Sequence, residues 1–139
     1  MKKPYSDILI EFPEYTDSRG RLSIAERTLL PFDVCRVFWI YDIGVGKTRG
    51  GHAHRSCEEV VIPVSGSFEM FVDDGKSQKT YMMDSPHVGI YIKSNVWCEL
   101  RKFAPGTICL VLASEDYDPD GYINEYEEFK GLQQCCSIE

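Results

Sequence analysis

A series of short, strand-like apolar segments separated by turn residues runs through most of the sequence and constrains its fold more than any other feature. In the segment SFEMFVDD, the apolar residues Phe68, Met70 and Val72 occupy every second position, which is the spacing of a strand with one buried face. Turn sequences such as Ser-Gly-Ser and Asp-Asp-Gly separate the segments. The pattern predicts strands at residues 8–12, 21–27, 34–43, 59–65, 67–74, 79–83, 88–93, 96–103 and 107–114. An all-β sandwich or barrel is therefore expected.

Only the C-terminal part of the sequence has a helical pattern. Ile123, Tyr126 and Phe129 recur every three residues, which predicts a short helix that packs on the outside of the sheets. The 139 residues contain no internal repeat and no linker, so we expect one domain over residues 1–139.

Charge and cysteine content narrow the classes of function. The net charge of −7 argues against nucleic acid as a partner. No segment has the roughly eighteen consecutive apolar residues of a membrane helix, and the first residues lack a signal-peptide pattern, so a cytoplasmic protein is expected. The six cysteines show no CxxC spacing, and free thiols are expected in that reducing compartment.

The segment RGGHAH contains two of the three histidines of the chain. Successive side chains of a strand point to opposite faces, so His52 and His54 are expected to enter one cavity. They could bind a metal ion, fill a barrel interior, or act as an acid–base pair without a metal. Histidine suits the last role because its unperturbed pKa of about 6.5 allows proton transfer at neutral pH. Arg49 is a candidate for anion binding, and Gly50 and Gly51 allow a substrate to approach the backbone.

The spacing around the histidine pair resembles the first motif of the cupin superfamily. Five residues separate Gly46 from His52, four separate His54 from Glu59, and six separate Glu59 from Gly66. The resemblance covers about twenty residues, and it agrees with the strand content deduced above. It implies a cupin fold, which is a jelly-roll barrel of the RmlC-like type.

The second cupin motif departs from the usual pattern. In many cupins it supplies a further histidine to a divalent metal, but Trp97 and Cys98 stand in that part of this sequence. A thiolate of Cys98, or Glu59 with the two histidines, keeps a metal site chemically possible. The third histidine, His87, lies in a Ser-Pro-His turn and is expected in a solvated loop.

Segments along nearly the whole chain resemble the sugar-nucleotide 3,4-ketoisomerases, which are WxcM-like cupins. The matching segments are DSRGRLSIAE (17–26), PFDVCRVFWIYDI (31–43), RGGHAH (49–54), VSGSFEMFVDDG (64–75), DSPHVGIYI (84–92), LVLASEDYD (110–118) and YINEYEEF (122–129). Together they are much more specific than the His-x-His motif alone.

This resemblance implies an isomerase that acts on dTDP-4-keto-6-deoxy-D-glucose in the biosynthesis of dTDP-linked amino sugars. The family moves a proton from C3 to C4 of the sugar through an enediolate, and it needs neither a cofactor nor a metal. Carried onto this sequence, His52 is expected to be the principal base. His54 is expected to relay protons or to stabilise the oxyanion, although the two roles could be exchanged.

The resemblance also implies residues that bind the substrate. Arg21 and Cys98 correspond to variable positions of the family that face its pocket; Arg21 favours a product of gluco configuration at C4, whereas Cys98 fits neither configuration. Candidates for contact with the phosphates are Arg49, Arg36, Lys93 and Arg101. Candidates for packing against the base or sugar are Tyr41, Tyr91 and Trp97.

Members of this family resemble homodimers with exchanged N-terminal strands, and the apolar segment ILIEF is consistent with such a strand. Two other functions are compatible with the sequence. One is a metal-dependent cupin enzyme, such as a small dioxygenase. The other is a cupin that binds a sugar nucleotide without turning it over.

Overall fold

Two five-stranded antiparallel sheets enclose the main hydrophobic core of the computed structural model, which describes residues 8–138 and the side chains up to residue 133. In chain order the strands are β1 Leu9–Glu11, β2 Glu14–Asp17, β3 Gly20–Ser23, β4 Arg36–Ile40, β5 Arg49–His54, β6 Glu59–Ser65, β7 Phe68–Asp73, β8 Gln78–Met83, β9 Val88–Ile92, β10 Trp97–Arg101, β11 Ile108–Ala113 and β12 Tyr122–Ile123. Short 3-10 helices span Arg27–Leu29 and Pro119–Gly121, and helix α1 spans Tyr126–Ile138.

The order of the strands brings distant parts of the chain together. The first sheet has the order β1-β9-β6-β11-β4, the second has the order β12-β5-β10-β7-β8, and β2 and β3 form a separate hairpin. Phe68, Met70 and Val72 are buried between the sheets, as their alternation in the sequence predicted. The architecture confirms the predicted all-β jelly-roll barrel of cupin type with a short C-terminal helix.

Some strand boundaries differ from those predicted. The predicted strand at 21–27 ends at Ser23, and its last residue begins a 3-10 helix. Tyr122 and Ile123, expected to begin the helix, instead form β12 and pair with His54 and Ala53 of β5. Their backbone groups therefore take part in strand pairing, and the helix begins only at Tyr126.

Helix α1 covers the outer face of the second sheet. Phe129 is buried in a cluster with Ala53, Trp97 and Ile123, which lie on β5, β10 and β12. The hydroxyl of Tyr126 donates a hydrogen bond to the buried carboxylate of Asp73. The predicted packing of the helix on the outside of a sheet is therefore confirmed.

The four cysteines whose side chains are described are all free thiols: Cys35, Cys57, Cys98 and Cys109. Cys98 and Cys109 belong to the core between the sheets. The side chains of Cys135 and Cys136 lie outside the described part, so free thiols remain a prediction there. Among the described helices, none is long and apolar enough to cross a membrane.

Candidate active site

The two histidines of RGGHAH lie on β5 and point to the same side, as the alternation of a strand predicted. The imidazole rings of His52 and His54 have their centroids 4.8 Å apart and meet nearly edge to face. Ala53, between them, points to the opposite side and joins the cluster under helix α1. Both imidazoles therefore belong to one pocket at the inner face of the second sheet.

Two glycines at the start of β5 allow its backbone to lie close to the neighbouring strand β10. Gly50 and Gly51 have φ angles of 78° and 76°, a region that favours glycine. A Cβ atom on Gly50 would lie 3.0 Å from the carbonyl oxygen of Cys98 on β10. Glycine at position 50 therefore lets β5 pair closely with β10, which places Cys98 opposite His52.

A buried carboxylate lies next to the deeper histidine. Glu59 begins β6, and its Oε2 atom is 3.4 Å from Nε2 of His54. Both side chains are almost fully enclosed. Because a charge in such surroundings is screened little by solvent, the field of Glu59 extends through the pocket. The carboxylate raises the pKa of the Cys98 thiol and opposes the lowering of the pKa of His52.

The pKa of His52 is lowered to about 4, first by burial and second by the neighbouring His54. His52 is therefore neutral at neutral pH and has a nitrogen lone pair available to accept a proton. Its side chain is less buried than that of His54. These two properties favour His52 over His54 as the group that meets a substrate.

A tyrosine and an arginine complete the pocket. The ring centroid of Tyr122 lies 4.8 Å from that of His52 and 4.6 Å from that of His54. The guanidinium of Arg36 lines the same small cavity as His54 and Tyr122, and its interaction with the Tyr122 hydroxyl partly offsets the rise in the pKa of that group caused by burial. It also lies 4.4 Å from the ring centroid of Phe38 and 5.3 Å from that of Tyr117. Arg36, predicted from the sequence to bind phosphate, thus lies beside the histidine pair.

Tyr122 is a site residue that the sequence did not reveal. It lies almost seventy residues after the histidines, on a strand of two residues that has no recognisable pattern. Its pairing with His54 brings it to the pocket. The presence of YINEYEEF among the family-like segments was the one available signal.

The thiols of the pocket are held in the protonated form. Burial is the main reason for the raised pKa of Cys98, and burial raises the pKa of Cys109 to about 12. Without a metal ion, both thiols are therefore neutral at neutral pH. Among the described residues, no three His, Cys, Asp or Glu side chains are grouped closely enough to hold a metal ion.

Two other arginines that the sequence analysis named, Arg49 and Arg21, lie in different parts of the structure. Arg49 begins β5 with an exposed side chain, and its charge lowers the pKa of Cys109, which shows that its field reaches the barrel interior. Arg21 instead lies on the β2–β3 hairpin and lines a cleft with Ile62 and Leu110 on the outer side of the first sheet. The expectation that Arg21 faces the pocket is therefore wrong for the pocket of its own chain.

Two aromatic residues named as substrate contacts point away from the histidines. Trp97 packs against Phe129 on the outer face of β10, and its Nε1 atom donates a hydrogen bond of 2.9 Å to Glu99. Tyr41 follows the end of β4 and is largely exposed. The structure contradicts the assignment of Trp97, because Trp97 and Cys98 lie on opposite faces of one strand and only Cys98 faces inward. The assignment of Tyr41 stays a prediction, since an exposed side chain is free to contact a ligand.

The remaining candidates also lie outside the pocket. The hydroxyl of Tyr91 donates a hydrogen bond to Glu58, and the guanidinium of Arg101 lies 4.6 Å from the ring centroid of Phe71. Lys93 is exposed after the end of β9. His87 lies near the β2–β3 hairpin, where its Nδ1 atom is 3.4 Å from the Glu14 carboxylate.

Comparisons with known proteins identify the group to which these features belong. The family model described as "FdtA: WxcM-like, C-terminal" matches residues 6–134. A curated relative from Aneurinibacillus thermoaerophilus, TDP-4-oxo-6-deoxy-alpha-D-glucose-3,4-oxoisomerase, is 39% identical over 123 residues, which is 88% of each chain.

Solved structures agree with the sequence comparisons. A 3,4-ketoisomerase from Helicobacter canadensis is similar with a TM-score of 0.87 and 36% identity, over 91% of this chain and 96% of that chain. A second structure is a histidine-to-asparagine mutant of the 3,4-ketoisomerase QdtA from Thermoanaerobacterium thermosaccharolyticum, in complex with TDP-4-keto-6-deoxyglucose. Its TM-score is 0.89 and its identity 33%, over 94% of this chain and 96% of that chain.

Proposed function

The chain belongs to the FdtA family of WxcM-like proteins, and we propose that it is a sugar 3,4-ketoisomerase acting on TDP-4-keto-6-deoxy-D-glucose. The observation that carries this proposal is the pair of imidazoles on one face of β5, with the neutral His52 on the less buried side. A neutral, partly buried imidazole is equipped to accept a proton from carbon.

The reaction moves two protons and needs no redox partner. His52 takes the proton from C3, which the neighbouring C4 ketone makes acidic, and the electrons of the broken C–H bond form an enediolate. The proton then returns to C4, while the hydroxyl proton of O3 passes to O4. The substrate and product are therefore isomers, with the carbonyl group at C4 in one and at C3 in the other.

Electrostatics in the pocket support the transfer to His52. Protonation of His52 is unfavourable in the free enzyme, but the developing enediolate places a negative charge beside the ring and stabilises the imidazolium. The buried Glu59 acts in the same direction, since its charge raises the pKa of His52. His54 lies between Glu59 and His52 and is placed to relay the hydroxyl proton.

The diphosphate needs positive charge at the opening of the pocket. Arg49 is exposed at the start of the strand that carries both histidines, and its charge also acts on the barrel interior. We propose that Arg49 binds the phosphates of the substrate. Arg36 contacts the rings of Phe38 and Tyr117 beside the histidine pair, which supports a contact with the sugar as well as the phosphate role expected from the sequence.

The test of the proposed function is incubation of the protein with TDP-4-keto-6-deoxyglucose and identification of the sugar by proton NMR. We expect the 3-keto isomer to form, with the same rate after treatment with a strong chelator. The absence of isomer above a control without enzyme would reject the function. Loss of the activity on chelation, restored by iron, nickel or zinc, would instead support a metal-dependent cupin enzyme.

We also propose that the protein is a cytoplasmic homodimer that exchanges its N-terminal strands. The outer face of β4 presents Val37 and Trp39, and Tyr41 follows directly after the strand; these side chains are 48%, 58% and 58% exposed. Such a row of apolar side chains on an outer sheet face is typical of a surface that another chain covers. β1 pairs with β9 of the same chain in the single-chain structure. The same pairing between two copies would carry the hairpin with Arg21 onto the partner.

Light scattering is expected to give twice the mass of one chain at micromolar concentration. Replacing Trp39 with glutamate should shift the protein towards the monomer, because a charge would be buried in the interface. The matched control is Met82→Glu, since Met82 is 59% exposed on β8 of the other sheet and should tolerate the change. A wild-type protein with the mass of one chain would contradict the dimer.

A further inference from the structure

Given the proposed function, we propose that Tyr122 is a positioning residue whose ring fixes the orientation of both imidazoles and keeps water away from His52. Three aromatic rings, those of His52, His54 and Tyr122, meet at the inner face of β5. The proposed role belongs to the ring of Tyr122 rather than to its hydroxyl, and it extends the site to a residue outside the histidine motif.

The three rings form a closed cluster. The centroids of His52, His54 and Tyr122 are separated by 4.8 Å, 4.8 Å and 4.6 Å, so each ring contacts the other two. Tyr122 meets His52 at an angle of 75° and His54 at 52°. Rotation of either imidazole about its χ2 angle would bring it into the Tyr122 ring. The tyrosine thereby restricts which nitrogen of each histidine faces the substrate.

The ring of Tyr122 is itself held from two sides. Its backbone pairs with His54 through β12, so the strand register sets its position. Its side chain shares a cavity lining with Arg36, whose guanidinium also lies over the ring of Tyr117. The Tyr117 and Tyr122 rings are 6.0 Å apart. These contacts make Tyr122 a rigid wall of the pocket rather than a mobile side chain.

Burial is the largest cause of the low pKa of His52, and the Tyr122 ring supplies part of that burial. Among the neighbouring side chains, His54 on β5 lowers the pKa of His52 and Glu59 on β6 raises it. Other titratable or charged side chains on the surrounding strands are Arg49 on β5, Cys98 on β10, Cys109 on β11 and Arg36 on β4. A change of Tyr122 to an apolar residue leaves all of these groups in place, so its effect on His52 reports solvent access.

The experiment compares Tyr122→Leu with Tyr122→Phe. In Tyr122→Leu, we expect the pKa of His52 to rise by about one unit, which increases the protonated fraction about tenfold at a given pH above the pKa. Because the protonated ring cannot act as a base, the acid limb of kcat/KM should move to higher pH by the same amount. Tyr122→Phe keeps the ring and should restore both the pKa and most of the rate.

NMR of the histidine ring protons measures the pKa without requiring turnover. The chain has three histidines, so the His52 signal is assigned by its loss in His52→Asn. If the wild-type protein failed to isomerise the sugar, the titration would still test the proposal. Should Tyr122→Leu not yield folded protein, Tyr122→Met provides the same test with a more flexible side chain.

Two results would overturn the proposal. One is an unchanged titration of His52 in the Leu or Met variant, which would show that the ring does not control solvent access. The other is a Tyr122→Phe variant as inactive as Tyr122→Leu, with His52 titrating as in the wild type. That second result would assign the function to the hydroxyl instead.

Discussion

Replacing His52 with asparagine is expected to lower kcat for isomerisation by about 10²- to 10⁴-fold, which is the usual contribution of a general base. Asparagine is polar and of similar size, so it preserves the shape of the pocket but cannot take a proton from carbon. The affinity for TDP should change little, because Arg49 and the pocket walls are untouched. The rate is measured at saturating substrate, and nucleotide affinity by calorimetry.

The matched control is His87→Gln. His87 lies beside Glu14 near the β2–β3 hairpin and does not contact the histidine pair. Its replacement should leave kcat within a few-fold of the wild type. A His52→Asn enzyme with wild-type kcat would remove this residue from the chemistry. The same loss in both variants would show that the effect is one of folding or assembly.

Replacing Phe129 with alanine is expected to lower the free energy of unfolding by about 3–5 kcal/mol, as for other large aromatic residues in a core. Phe129 is 0% exposed and packs against Trp97, Ala53 and Ile123, so its removal leaves a cavity between helix α1 and the second sheet. The measurement is urea unfolding, with all variants at one protein concentration because association adds to apparent stability.

The control for this variant lies one turn later on the same helix. Leu132 is 40% exposed, and Leu132→Ala should change the stability by no more than about 0.5 kcal/mol. If Phe129→Ala were as stable as the wild type, the packing of α1 on the sheet would be contradicted. Because Trp97 belongs to the same cluster, the result also tests whether Trp97 is a core residue rather than a substrate contact.

Local patterns in the sequence were sufficient for much of the fold and for the centre of the site. The alternation of Phe68, Met70 and Val72 predicted their common buried face, because the period of a strand depends on neighbouring residues alone. The same rule placed His52 and His54 on one face. The turn residues between segments correctly indicated an all-β architecture.

Side-chain directions and contacts that depend on which strands pair, and in which register, could not be predicted from the sequence. Trp97 and Cys98 are neighbours, and the choice of which one faces inward depends on the register of β10 against β5 and β7. Tyr122 reaches the site only because β12 adds to the edge of β5. The contact of Arg36 with Tyr117 could not be predicted, because Tyr117 comes from a distant segment, and phosphate binding by Arg36 stays a prediction.

The exposed face of β4 is a case in which the sequence left two alternatives. The segment VCRVFWIY carries bulky residues on both sides, a pattern typical either of a central strand or of a strand at a subunit interface. β4 is an edge strand of the first sheet, and the outward side chains of Val37, Trp39 and Tyr41 are exposed in a single chain. The exposed side chains therefore support the interface alternative, in agreement with the proposed homodimer.

The most direct test of the central claim uses TDP-4-keto-6-deoxyglucose labelled with deuterium at C3. We predict that the enzyme removes the label from C3 and that the recovered 3-keto sugar carries deuterium or a solvent proton at C4. The His52→Asn variant should leave the label at C3 over the same time. Complete retention of deuterium at C3 with the wild-type enzyme would contradict the account.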